Sequence, residues 1–194
     1  MRQSDLATAG REIEVKIPLP GVDGMADRLQ SADFGVSAPR VFEANTLYDS
    51  VDQRLRSKRQ ILRLRQVDSC VVLTWKGGSE DGPYKIREEW ETAVESFSNM
   101  QTILERLGFA PSFRYEKFRT EFRREADKEG VVTLDETPIG TFLELEGPET
   151  WIDQTAERLG FGKANYVLES YGRLYLAHCA RHGLQPANMV FASK

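Results

Sequence analysis

In the run Arg-Glu-Ile-Glu-Val-Lys-Ile, Glu12, Glu14 and Lys16 alternate with Ile13, Val15 and Ile17. A period of two predicts a strand with one ionic and one apolar face. The alternation recurs along the chain. Arg63 and Arg65 alternate with Leu62 and Leu64, Thr74 and Lys76 with Leu73 and Trp75, and Lys85, Arg87, Glu89 and Glu91 with Ile86 and Trp90. Lys117 and Arg119 flank Phe118, and Glu144 and Glu146 flank Leu145. These ionic positions comprise six Glu against eight Lys or Arg. A solvated face would also accept Ser, Thr, Gln and Asn, so a nearly all-ionic set of both signs suggests faces that converge on a common interior.

Strands are predicted at 11–17, 41–48, 60–66, 71–76, 84–94, 113–124, 131–135 and 141–146. Turn chemistry is expected at 49–52, and Asp68-Ser69 should close a tight hairpin. Helices are predicted at 23–31 and 98–107, and Leu168, Tyr171, Leu174 and Tyr175 have helical spacing within 166–180. Glu105-Arg-Leu-Gly-Phe109 reappears as Glu157-Arg-Leu-Gly-Phe161, each a helix end with Gly where a left-handed backbone is wanted. Residues 29–34 resemble a weaker third copy, which either duplication or a shared capping solution explains. The Gly-rich loop 77–83 is a candidate lid. Residues 1–10 read as a flexible tail, 11–180 as one domain and 181–194 as a loosely attached tail, since no Pro- or Ser-rich linker divides the chain.

Many charges cannot turn inward unpaired, because a buried unpaired ion costs several kcal/mol. Either the ionic faces meet solvent, or the sheet closes around water, metal and ligand and amphipathic helices cover its apolar outside. The fold class that follows from the inward alternative is α+β, mainly antiparallel β, with helices packed outside a closed barrel.

Chemistry favours the inward facing. Magnesium and manganese take oxygen ligands, and Glu12/Glu14, Glu89/Glu91 and Glu144/Glu146 offer three pairs of carboxylates spaced i, i+2. A triphosphate carries about four negative charges and needs cationic contacts, which Arg63, Arg65, Lys76, Arg87, Lys117 and Arg119 supply. No phosphate-cradling or dinucleotide-binding Gly motif is present. No Ser-His-Asp or Cys-His set is evident either, and His178 and His182 read as surface or packing residues. The 194 residues have a net charge of −4, which disfavours a generic nucleic-acid or anionic-membrane binder. Cys70 and Cys179 lack zinc-site spacing and fit a reducing compartment. With no apolar run of membrane-spanning length and no signal peptide, a cytoplasmic location is expected.

Glu12-x-Glu14-x-Lys16 resembles the signature of the CYTH superfamily, the triphosphate tunnel metalloenzymes. The resemblance continues in order through Tyr48-Asp49, Leu62-Arg-Leu-Arg65, Leu73-Thr-Trp-Lys-Gly77, Arg87-x-Glu89-x-Glu91, Lys117-x-Arg119, Leu134-Asp135 and Gly140-x-Phe-x-Glu144-x-Glu146, with a late Ser170-Tyr171. It implies an eight-stranded antiparallel tunnel and a Mg2+- or Mn2+-dependent enzyme acting on triphosphate-bearing substrates. It gives Glu12, Glu14, Glu144 and Glu146 to metal, and Glu89 and Glu91 to support of the metal or the attacking water. Lys16, Arg63, Arg65, Lys76, Arg87, Lys117 and Arg119 become triphosphate ligands, with Lys16 also placed at the reacting group. Lys85 shares the inward parity, Tyr48 either orients a ligand or packs, and the facing of Asp135 is unassigned. The expected activity is triphosphate hydrolysis, on tripolyphosphate, nucleoside or thiamine triphosphate. Class IV adenylyl cyclase chemistry is the alternative, and a non-catalytic polyphosphate- or nucleotide-binding module a further one. The partner is a triphosphate-containing small molecule, without nucleic acid polymer or membrane, and a homodimer is compatible with the sequence.

Overall fold

The structure, a computed structural model, describes residues 10–192. The tail expected at 1–10 lies outside the described residues except for Gly10, which opens the first strand. The strands are β1 (Gly10–Leu19), β2 (Gly35–Ser50), β3 (Ile61–Val67), β4 (Cys70–Lys76), β5 (Lys85–Val94), β6 (Phe109–Arg124), β7 (Asp127–Thr137) and β8 (Gly140–Glu146). The helices are α1 (Met25–Ser31), α2 (Arg54–Ser57), α3 (Phe97–Arg106), α4 (Glu149–Arg158) and α5 (Tyr171–His182). All eight strands close into one antiparallel barrel in the order β1-β5-β4-β3-β2-β6-β7-β8, with β8 returning to β1.

Exchanging β1–β4 for β5–β8 in turn reproduces this order read backwards, so the topology has a two-fold character. Each half is a strand, a helix and then three strands, with short α2 added between β2 and β3 in the first, and the paired strands β1/β5 and β2/β6 have equal lengths of 10 and 16 residues. The repeated Glu-Arg-Leu-Gly-Phe segments do not follow this symmetry. They end α3 and α4, with Gly108 at φ 88 and Gly160 at φ 69. Asp33, at φ 66, takes the same place after α1. Phe34 N donates to Leu29 O at 2.9 Å, as Phe161 N does to Ala156 O at 2.8 Å. All three segments thus place a left-handed residue just after a helix, and those of α1 and α3 occupy matching places in the two halves.

The hairpin at Asp68-Ser69 forms as expected: Val67 pairs with Cys70, and Asp68 takes φ 50. The turn at 49–52 leads into the unforeseen short helix α2. Asp49 orders that turn, accepting from Leu55 N at 3.0 Å and Arg56 N at 2.9 Å. Loop 77–83 lies against β5, with Glu80 N donating to Ile86 O at 2.9 Å.

The apolar strand faces point outward, under the helices. Val15, Ile17, Leu143 and Leu145 pack with Leu29 of α1 and Trp151 and Ile152 of α4 in the main cluster. Leu64, Val71 and Tyr48 pack with Leu104 of α3. Tyr48 therefore belongs to the outer core and does not reach the interior. It pairs with Leu62 across β2 and β3, and cross-strand partners share a face.

A third cluster closes one end of the barrel. Tyr115 and Phe142 meet Tyr171 of α5, together with Met189 from the C-terminal stretch. That stretch is docked, contrary to the loose attachment expected for 181–194. Met189 is 1% exposed, its N donates to Arg114 O at 2.9 Å, and Glu116 N donates to Met189 O at 2.9 Å.

Candidate active site

Register decides the facing of every charged strand. Lys16 pairs with Glu144, Glu14 with Glu146 and Lys85, Glu12 with Arg87, and Lys76 with Glu89. Arg119 pairs with Asp135 and Lys117 with Glu43. The ionic residues read from the sequence thus line one interior, and Lys85, which the motif series does not contain, joins them. Asp135 also faces inward. Glu43 was missed, although it alternates with Phe42 and Ala44; a single acidic residue beside Asn45 gave no ionic run to notice.

The lining is one alternating chain of ion pairs. Starting on β5, Lys85 contacts Glu14, and Lys16 sits between Glu14 at 3.0 Å and Glu144 at 3.1 Å. Glu144 contacts Arg119, which donates through Nε and Nη2 to Asp135 at 2.7 and 2.6 Å. Asp135 then accepts from Lys117 at 2.8 Å, and Lys117 stands 3.5 Å from Glu43. Glu43 leads to Arg65 at 3.8 Å, Arg65 to Glu91 at 3.6 Å, and Glu91 to Arg63 at 3.0 Å. Arg63 approaches Glu89 at 3.9 Å, Glu89 meets Lys76 at 3.0 Å, and Lys76 meets Glu12 at 2.6 Å. Glu12 ends the chain at Arg87, 3.7 Å away on β5. Eight cations and seven carboxylates alternate without a break around the barrel. Mutual neutralisation is what lets Lys16, Lys117 and Asp135 be almost wholly buried.

Tyr171 and Thr74 complete the wall. The Tyr171 hydroxyl donates to Asp135 at 2.7 Å, and its ring lies 5.3 Å from Lys16 Nζ and 5.4 Å from Lys117 Nζ. Thr74 donates to Glu91 at 2.6 Å and accepts from Arg63 at 3.1 Å. Only the Ser170-Tyr171 match hinted at the first, and the second was placed on the inward parity with Lys76 but given no role in the sequence.

The carboxylates divide by environment. Burial opposes charge on Glu14 and on Glu144, but Lys16 with Lys76 and Arg87 holds the first below the usual range, and Lys16 with Arg119 and Lys117 the second. Glu91 is lowered to about 2, burial being outweighed by Arg65 and Arg63. Glu89 moves the other way, to about 7: burial and the neighbouring Glu12 and Glu91 carboxylates exceed the pull of Lys76 and Arg63. Glu146 is accessible at the rim, yet the surrounding barrel wall and then Glu12, Glu14 and Glu89 raise it too.

Among the described residues, no three acidic, His or Cys side chains already surround a common point. Of the carboxylates named for metal, Glu12, Glu14 and Glu144 are turned to cations instead, while Glu146 makes no ion pair among the described residues. In kind they still suit a hard cation: the donors are all carboxylate oxygens, Glu12 Oε2 is buried without a hydrogen-bond partner, and the like charges around Glu146 would be relieved by a divalent ion.

The family model of the CYTH domain matches residues 10–171. The chain belongs to the CYTH family. A Methanocaldococcus jannaschii protein named "Putative adenylate cyclase" is 29% identical over 170 residues, covering 82% of this CYTH chain and 95% of its own. A solved Vibrio parahaemolyticus structure with a name of the same kind aligns at TM-score 0.75 and 20% identity, covering 86% of this chain and 98% of that one. A Hippeastrum adenylyl cyclase-named protein, whose description reports a dominant triphosphatase activity, aligns at TM-score 0.60 and 18% identity over 91% of this chain and 97% of its own. At these identities the two structures establish the CYTH fold alone. No helix among the described residues is long and apolar enough to cross a membrane.

Proposed function

We propose that this chain is a Mg2+- or Mn2+-dependent enzyme that hydrolyses a triphosphate. The observation that carries the reading is the alternating ionic lining. Its cations are the partners a triphosphate needs, and its carboxylates are the ligands a divalent ion needs. In an anion-binding module without metal, inward glutamates would serve only to neutralise the cations and would compete with the anion for them.

Glu12, Glu14, Glu144 and Glu146 would hold the metal, which when bound supplies charge neutralisation and polarisation of phosphate oxygens. Arg63, Arg65, Lys117 and Arg119 exchange carboxylate partners for phosphate oxygens and fix the chain of phosphates in the tunnel. Lys16, between two of the metal carboxylates, is released towards the transferred phosphoryl group, where its charge offsets the charge that develops there. Glu89 is the group able to take a proton from water near neutral pH, because its pKa lies near 7. Glu91, held at about 2 and bonded to Thr74 and Arg63, instead orients the arginine.

Adenylyl cyclisation is the second reading, favoured by the names of the Methanocaldococcus and Vibrio relatives. It requires a pocket that grips adenine. Tyr115, Phe142 and Tyr171 are instead packed together closing one barrel end, which favours hydrolysis. Phosphate release from tripolyphosphate, ATP and thiamine triphosphate with each metal, measured beside cyclic AMP formation, separates the readings. Cyclic AMP as the main product from ATP would overturn hydrolysis, and no turnover of any of them would overturn both.

A further inference from the structure

Glu43 stands apart from the other tunnel carboxylates. Its side chain is buried beside Lys117 and Arg65, but at 3.5 and 3.8 Å, and Oε2 has no hydrogen-bond partner within the protein. Asp135, facing the same Lys117, accepts at 2.8 Å and is also held by Arg119 and Tyr171. Asp135 is anchored by directed bonds, whereas Glu43 is held by charge. Next on the same face, Asn45 is 1% exposed with neither Oδ1 nor Nδ2 bonded, and Nε of Arg63 and of Arg65 also lack partners. Buried polar atoms are normally satisfied, so this β2–β3 stretch is arranged for a polar group beyond those the protein provides.

We propose that Glu43 is a resident counter-anion: it occupies the phosphate-binding cations between turnovers and competes with every anion that enters. The proposal rests on the triphosphate reading of the tunnel. An anion reaching Lys117 and Arg65 must push Glu43 aside, at the same cost whatever the anion's length. A triphosphate spans enough further cations to meet that cost, and a single tetrahedral anion does not. After hydrolysis Glu43 takes its cations back, which drives the product out.

The test is calorimetric titration of sulfate, orthophosphate and tripolyphosphate into wild type, Glu43→Gln and Glu43→Asp, without metal. Gln keeps the shape and removes the charge, so sulfate and orthophosphate should bind about tenfold tighter or more. Product inhibition by orthophosphate should strengthen in parallel. Glu43→Asp keeps the charge and should bind small anions as weakly as wild type. Unchanged or weaker sulfate binding in a folded Glu43→Gln protein would overturn the assignment, as would equal tightening in Glu43→Asp. If tripolyphosphate binds none of the three proteins, with or without metal, the reading of the tunnel itself fails. If it binds and sulfate does not respond, the role of Glu43 alone fails.

Discussion

Arg63 shows how much a single side chain does in this interior. Its guanidinium touches Glu91, Thr74 and the Tyr115 hydroxyl and lies almost fully buried, where solvent screens little. Arg63→Ala should weaken triphosphate binding by about 2 kcal/mol, roughly thirtyfold, in a direct titration. Unchanged affinity would remove this arginine from the ligand. Glu14→Gln should abolish metal-dependent phosphate release with the fold intact, as read by circular dichroism and turnover together; full activity would take Glu14 out of the site. Asp135→Asn belongs to a different class. Its carboxylate is 0% exposed and holds two cations and a tyrosine, so neutralising it leaves buried cations underpaid in charge and should cost about 3 kcal/mol in urea unfolding. Residue types and alternation made most of these groups legible. Tyr48 was left open between a ligand role and packing because a tyrosine suits a ligand site and a helix-covered sheet face equally well, and only pairing with Leu62 puts it outside.

Among the elements, β7 and α4 are joined through a point of extreme closeness. Gly130 lies flat against Trp151, and a Cβ there would fall 2.4 Å from the indole. Gly130→Ala should therefore force α4 away from the barrel and cost about 1–3 kcal/mol in denaturant unfolding, with triphosphate binding per folded molecule retained. A neutral effect would mean that the helix yields freely. Eight strands and α1, α3 and α5 were legible from their periods, since side chains alternate along a strand whatever it pairs with, whereas of α4 only its end at 157–161 was read. The extents were less so: β2 and β6 run to 16 residues because they pair with each other along their length, from Gly35 opposite Arg123 to Ser50 opposite Phe109. Helix α2 was not legible, because four residues carry no periodicity and its order comes from Asp49.

At the level of the whole molecule, the ionic lining ties stability to pH. Glu43 and Glu91 have folded-state pKa values of about 2 and Glu14 and Glu144 are also lowered, against an unfolded value of about 4.3. Their contribution is present above the unfolded value and lost as pH falls through the folded one. Glu89, raised to about 7, acts in the opposite sense, its contribution being lost as pH rises through that value. The metal-free melting temperature should therefore fall steeply from about pH 4.5 to 2, and fall more gently as pH rises from about 4.5 to 7, levelling off above that. A midpoint flat between pH 6 and 3 would show that the ion pairs do not stabilise the barrel. By itself, the sequence determined which residues share a face and that the ionic faces carry carboxylates and cations together, because these follow from alternation and residue type. Only the tertiary structure decided that the carboxylates and cations alternate in one chain around the barrel, that Glu43 and Asp135 belong to it, and that α5 closes an end with Tyr171. Register and barrel closure bring residues together across strands, and neither is written in the local pattern of any one strand.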